Sequence, residues 1–157
     1  MKVKLLFLGK TTETWLQTGI KDYTERLKRY IQLEIVEVPS IRNVSSRSLQ
    51  DQKEMEAAAI RRRCATGDIL ILLDESGKEM RSVDFARFLN LRFTGTGKWL
   101  VFAIGGPYGF SDTLRKEAAF LISLSRMTFS HQIVRLLFIE QLYRAMTILR
   151  NESYHHE

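Results

Sequence analysis

Residues able to do chemistry gather in the second half of the chain. Gly105-Gly106-Pro107-Tyr108-Gly109 follows an apolar run from Trp99 to Ile104. Glycines after a buried strand let backbone approach a ligand closely, and a following helix offers free N–H groups. The same residues would also serve as a plain reversing turn. Gly105, Gly106 and Gly109 do not fit the G-x-G-x-x-G spacing, and no Lys-Ser or Lys-Thr follows as in a P-loop. A dinucleotide or nucleoside triphosphate site is therefore not expected.

Metal and nucleophile chemistry find less support. The histidines are His131, His155 and His156, none of them in an H-E-x-x-H array. Cys64 follows Arg61-Arg62-Arg63, which would lower a thiol pKa, but a cysteine at a helix end against the core is the plainer reading. No G-x-S-x-G elbow exists for a serine hydrolase. Arg135, Glu140 and Arg144 interrupt an otherwise apolar segment, and the last two stand four apart, a spacing that allows a pair on one helix face. Two readings stay open: a structural pair with a rim arginine, or an arginine over a substrate.

The elements that must position these groups alternate. Val3 to Leu8 reads as a buried strand, and 14–30 as a helix with Trp15, Ile20, Tyr23, Leu27 and Tyr30 at helical spacing. Leu33 to Val38 is a second strand closed by Pro39, and 40–48, rich in Ser and Arg, is expected to be a mobile loop. A polar helix follows over 49–64. Ile69 to Leu73, apolar on both faces, predicts a central parallel strand that Asp74-Glu75-Ser76-Gly77-Lys78 ends. Ser82 is expected to cap a helix over 83–92 and Ser111 one over 112–119, with Trp99 to Ile104 a doubly buried strand between them. Phe120 to Leu124 is the last strand, and 131–150 a helix apolar around most of its circumference. Such a helix needs burial on more than one side, and a symmetric dimer would supply it.

This order predicts one α/β domain over 1–157 with a largely parallel sheet, in which ligands bind beyond the carboxyl ends of the strands. Length and composition agree: 157 residues, 45% hydrophobic and 27% charged, suit a single packed core. One cysteine excludes an internal disulfide and suggests a reducing compartment. The opening Leu5 to Leu8 is too short for a signal peptide or membrane span, so a cytoplasmic protein is expected. A net charge of +6 suggests a polyanionic partner. Residues 1–30 carry seven basic and three acidic residues, making Lys21, Arg26, Lys28 and Arg29 the expected basic surface.

Taken together, Ile104-Gly105-Gly106-Pro107-Tyr108-Gly109, Leu124-Ser125-Arg126-Met127-Thr128-Phe129-Ser130-His131-Gln132, Arg135, Ile139-Glu140-Gln141-Leu142-Tyr143-Arg144-Ala145 and Tyr154-His155 resemble the signature series of the RlmH (YbeA) family. The similarity extends to Gly9-Lys10, Trp15, Tyr23, Arg26 and Glu37-Val38-Pro39, nearly the whole chain. These are SPOUT-class methyltransferases that modify N3 of a pseudouridine in 23S ribosomal RNA. The resemblance implies a trefoil-knotted parallel sheet flanked by helices, S-adenosylmethionine as methyl donor, no metal, and a homodimer acting on the ribosome. Carried over by position, it implies cofactor contacts at Leu73, Gly105, Leu124, Ser125, Arg126, Met127, Thr128 and Phe129. A sulfonium cofactor without phosphate needs backbone hydrogen bonds and apolar walls, which agrees with the failed phosphate signatures.

On the target side the expected residues are Arg135, Tyr154 and His155, with His131 and His155 as candidate proton acceptors and Arg135 or Arg144 as stabilisers of an anion or phosphate. The family's basic residue after its Tyr-His pair is replaced by His156, which implies weaker or more pH-dependent RNA binding. Two alternatives remain: a non-catalytic ribosome-binding or assembly factor of the same fold, and a SPOUT enzyme acting on transfer RNA.

Overall fold

The computed structural model describes residues 1–39, 48–93 and 97–155. The elements run β1 (Lys2–Leu8), α1 (Thr14–Leu27), β2 (Gln32–Val38), α2 (Leu49–Arg61), β3 (Ile69–Glu79), α3 (Ser82–Phe93), β4 (Leu100–Ile104), α4 (Asp112–Glu117), β5 (Phe120–Ser123) and α5 (Ile133–Leu149). The strands form one parallel sheet in the order β2-β1-β4-β3-β5. Helices α1, α3 and α5 cover one face, packing Leu27, Phe85, Leu89, Phe138 and Leu142 against Leu5, Phe7 and Phe102. On the other face α2 and α4 place Ala57, Ile60 and Leu114 against Leu6, Leu72 and Val101. Burial from both sides is what the unbroken apolar runs of the inner strands require.

Several expectations are corrected in detail. The first helix stops at Leu27 rather than at residue 30, and the second at Arg61 rather than at residue 64. The centre of the sheet is β4, fully buried, while β3 lies between β4 and the edge strand β5. Nor does Asp74 to Lys78 end β3. The strand bulges after Leu73 and resumes pairing, so that Ile122 stands opposite both Leu73 and Lys78. Gly77 makes this return possible, because a Cβ there would lie 2.5 Å from the backbone nitrogen of Ile122. Ser82 begins α3, but its hydroxyl donates to Gln141 Oε1 on α5 at 2.8 Å and so ties two helices together.

Other local readings hold. Ser111 accepts the Leu114 N–H at 3.3 Å as an N-cap, and Glu140 and Arg144 pair at 2.6 Å. The expected loop over 40–48 falls outside the described residues except for Ser48, which caps α2 in a reciprocal pair with Asp51. His156 also lies outside them. At Gly19 the absence of a side chain brings α1 against Leu136 of α5, whose Cδ2 would lie 2.9 Å from a Cβ.

Candidate active site

Parallel register brings three strand ends level: Leu73 stands opposite Ile104 on one side and Ile122 on the other. Beyond them opens a cleft of about 300 Å³ walled by Asp74, the 105–110 turn and the loop after β5. Its floor is apolar, from Leu73, Ile104 and Ile122. The turn is closed by Gly109 N–H donating to the Gly106 carbonyl at 3.1 Å, and Gly109 takes φ +71°, a conformation glycine adopts freely. The two preceding glycines differ. A Cβ on Gly105 would press the Phe110 ring at 3.3 Å, whereas Gly106 faces open space.

The second wall is built by serine hydroxyls. Ser123 Oγ donates to the Ser125 carbonyl at 2.9 Å, and Ser125 Oγ accepts the Met127 N–H at 2.9 Å. Ser130 Oγ then accepts the Ile133 N–H at 3.2 Å, starting α5. The loop presents Leu124, Ser125, Met127, Thr128 and Phe129 to the cleft, so seven of the eight expected cofactor positions, with Leu73 and Gly105, come together there. Arg126 does not line the cleft: its exposed side chain turns to Glu79 at 3.2 Å, along a neighbouring groove. His131 stands at the cleft wall.

Asp74 was not singled out by its sequence position, yet it is buried at the cleft wall. Burial pushes its carboxyl up, but the Ser76 hydroxyl and N–H and the Arg115 guanidinium at 2.9 Å outweigh burial and hold it below the ordinary range. The signal available beforehand was Asp-x-Ser after an apolar strand, an Asx turn.

The expected target-side residues lie elsewhere in the chain. Arg135 is fully buried under β1, donating to the Leu8 carbonyl at 2.6 Å and Thr11 Oγ1 at 2.9 Å. Burial lowers its pKa, with Glu37 opposing. Tyr154 and His155 fold back onto α5 and α1, away from the residues of the cleft wall. The Tyr154 hydroxyl stands 3.1 Å from both Tyr23 Oη and Glu140 Oε1, and Arg144 Nη1 lies 3.4 Å from His155 Nδ1. Burial first, then the Tyr23 and Glu140 contacts, raise the Tyr154 phenol well above its ordinary value. Within one chain, the cleft and the tail are thus separate constellations.

Cys64 is half-buried at the end of α2, and burial pushes its thiol up, so the three arginines before it do not activate it. Among the described residues no group of His, Cys, Asp and Glu is arranged to hold a metal ion, and no helix is long and apolar enough to cross a membrane.

The cleft has no phosphate cradle. It has apolar strand ends, open space at Gly106 and loop backbone on two sides, a donor set that fits a nucleoside carrying a sulfonium. Comparison with known proteins agrees. The chain matches the family described as predicted SPOUT methyltransferase over residues 1–155. It is 53% identical to the ribosomal RNA large subunit methyltransferase H of Flavobacterium johnsoniae, 52% to that of Flavobacterium psychrophilum and 48% to that of Bacteroides thetaiotaomicron. Each of these alignments covers 100% of both chains. With a parallel sheet, a cleft at its strand ends and agreement from end to end, the chain belongs to the SPOUT methyltransferase family.

Proposed function

We propose that this chain, a single SPOUT domain over 1–157, methylates N3 of a pseudouridine in 23S ribosomal RNA, using S-adenosylmethionine and acting as a homodimer on the assembled ribosome in the cytoplasm. The observation that carries the reading is identity of 48–53% over the whole length to relatives named as large subunit ribosomal RNA methyltransferases. The cleft supports the cofactor: Leu73, Gly105 and the 124–129 loop would hold it through apolar contact and backbone hydrogen bonds. When bound, the donor supplies a methyl group already activated on sulfur.

What remains for the protein is positioning and proton removal. N3 of pseudouridine is an imide nitrogen whose proton must leave for it to take the methyl group, with His155 or His131 as the acceptor. Arg144, held by Glu140, and the Tyr154-His155 tail would meet the target base, with Arg135 fixing the end of β1. Because cleft and tail are separate within one chain, a second copy would bring the tail of one protomer to the cleft of the other. Exposed apolar residues support that pairing. Trp15 and Ile133 begin α1 and α5, and Gln132 joins these helix starts through Lys10 and Thr12. Met127 and Phe129 are exposed on the loop just before them. The knotted chain path belongs to the same reading.

The test is transfer of labelled methyl groups from S-adenosylmethionine to ribosomes lacking the modification, beside free ribosomal RNA and transfer RNA. Label at a pseudouridine of the large-subunit RNA is the expected result. Label in transfer RNA, or cofactor binding without transfer to any RNA, would replace this reading by one of its alternatives.

A further inference from the structure

Beside the cleft, along the edge of the sheet, runs a second and larger depression of about 940 Å³. Its walls are α3, the returning segment of β3 and the edge strand β5. Ile122, Leu124 and Ser125 belong to both hollows, so the groove leads into the candidate active site. Its charge is one-sided. Lys78, Arg81, Arg87, Arg92 and Arg126 line it, against Glu79 and Asp84. The two carboxylates pair with Arg126 and Arg87.

Arg92 is the central feature. Its guanidinium carbon lies 3.7 Å from the Phe88 ring centre and 4.4 Å from that of Phe120, while those rings meet edge to face at 5.1 Å. One terminal nitrogen donates to the Phe88 carbonyl at 3.0 Å, but the buried Nε has no partner. Among the described residues no carboxylate pairs with the group, and burial pushes its pKa down. A planar cation stacked on aromatic rings, unneutralised and flanked by exposed Lys78 and Arg87, suits a polyanion with flat bases. Leu91, 71% exposed at the rim, adds apolar surface on which a base can rest.

We infer that this groove is the track along which a single-stranded segment of the large-subunit ribosomal RNA lies next to the target base, its phosphates on Lys78 and Arg87 and a base against Arg92. The inference rests on the proposed function for the identity of the RNA. The N-terminal basic helix expected from sequence would then be a secondary contact.

Two double variants test it. Lys78→Glu/Arg87→Glu reverses the groove, and Arg62→Glu/Lys116→Glu reverses two exposed cations on the opposite face. Binding to ribosomes lacking the modification is followed by co-sedimentation across a salt series, with S-adenosylmethionine affinity and the oligomeric state of the free protein as controls. The groove variant should lose about 10-fold or more in ribosome affinity and show a shallower salt slope, while the control changes by about 2-fold or less. Arg92→Lys, which keeps the charge but loses the plane, should show an intermediate loss.

Equal losses in both double variants would mean a general charge effect and would overturn the groove. So would unchanged ribosome affinity, or a change of oligomeric state in the groove variant, which would mark a contact between copies. Wild-type methyl transfer is scored separately: ribosome binding through the groove without methylation of ribosomal RNA would sink the proposed reaction and leave the groove, and absence of ribosome binding by the wild type would sink the groove.

Discussion

At the residue scale, three side chains carry separable predictions. Gly105 packs against Phe110 at the cleft, so Gly105→Arg should abolish S-adenosylmethionine binding, read by calorimetry, while circular dichroism remains that of a folded chain. Asp74 tests electrostatics. Its carboxyl is held below its ordinary 3.8 in the folded protein, so it stabilises the fold above that pH and ceases to do so as pH falls through the folded value. Asp74→Asn should cost about 1–3 kcal/mol at neutral pH and flatten the loss of stability as pH falls below 3.8, measured by denaturant unfolding. The resemblance implies Arg135 at the target base, where the apolar helix alone left a structural arginine equally open. Its actual partners are a main-chain carbonyl and a threonine more than 120 positions earlier, and no spacing rule connects such distant residues. Arg135→Met should lower stability by about 2 kcal/mol by leaving the Leu8 carbonyl unpaired, seen as a reduced denaturation midpoint.

At the element scale, the sequence made most of the sheet readable. Ile69 to Leu73 and Leu100 to Ile104 are apolar on both faces because helices cover both. The continuation of β3 was not legible, since Asp-Glu-Ser-Gly-Lys has the composition of a turn and resumes a strand through long-range pairing with β5. The cleft loop was legible as a string of residues, and five of its six positions line the cleft; the side-chain direction of Arg126 depends on Glu79, 47 residues away, and was not. Gly77→Ala makes this element testable. The obstructing atoms are backbone and cannot swing aside, so destabilisation of about 3 kcal/mol or more is expected, a fall in Tm of roughly 6–12 °C. The tail offers a second test. Ending the chain before Tyr154 should slow methyl transfer by about 100-fold while cofactor affinity stays near wild type, because the cleft does not include those residues.

At the scale of the whole molecule, the two chain ends are fastened to each other. Arg135 grips the end of β1, Gln132 joins Lys10 and Thr12, Tyr154 meets Tyr23, and Tyr30 donates to Glu152 at 2.6 Å. The proposed dimer is tested on the same surface: Trp15→Glu with Ile133→Glu should sediment as a monomer and lose methyl transfer, with the cofactor cleft intact.

That mutual fastening also sets an order of events during synthesis. β1 is synthesised well before the arginine that closes its far end, which stands 127 residues further on in α5. Until then the sheet face that α5 covers lies open, and its apolar residues need shielding from other chains. The clasp of Arg135 on β1 therefore makes closure of this face of the sheet a late step of folding, reached only once α5 has docked.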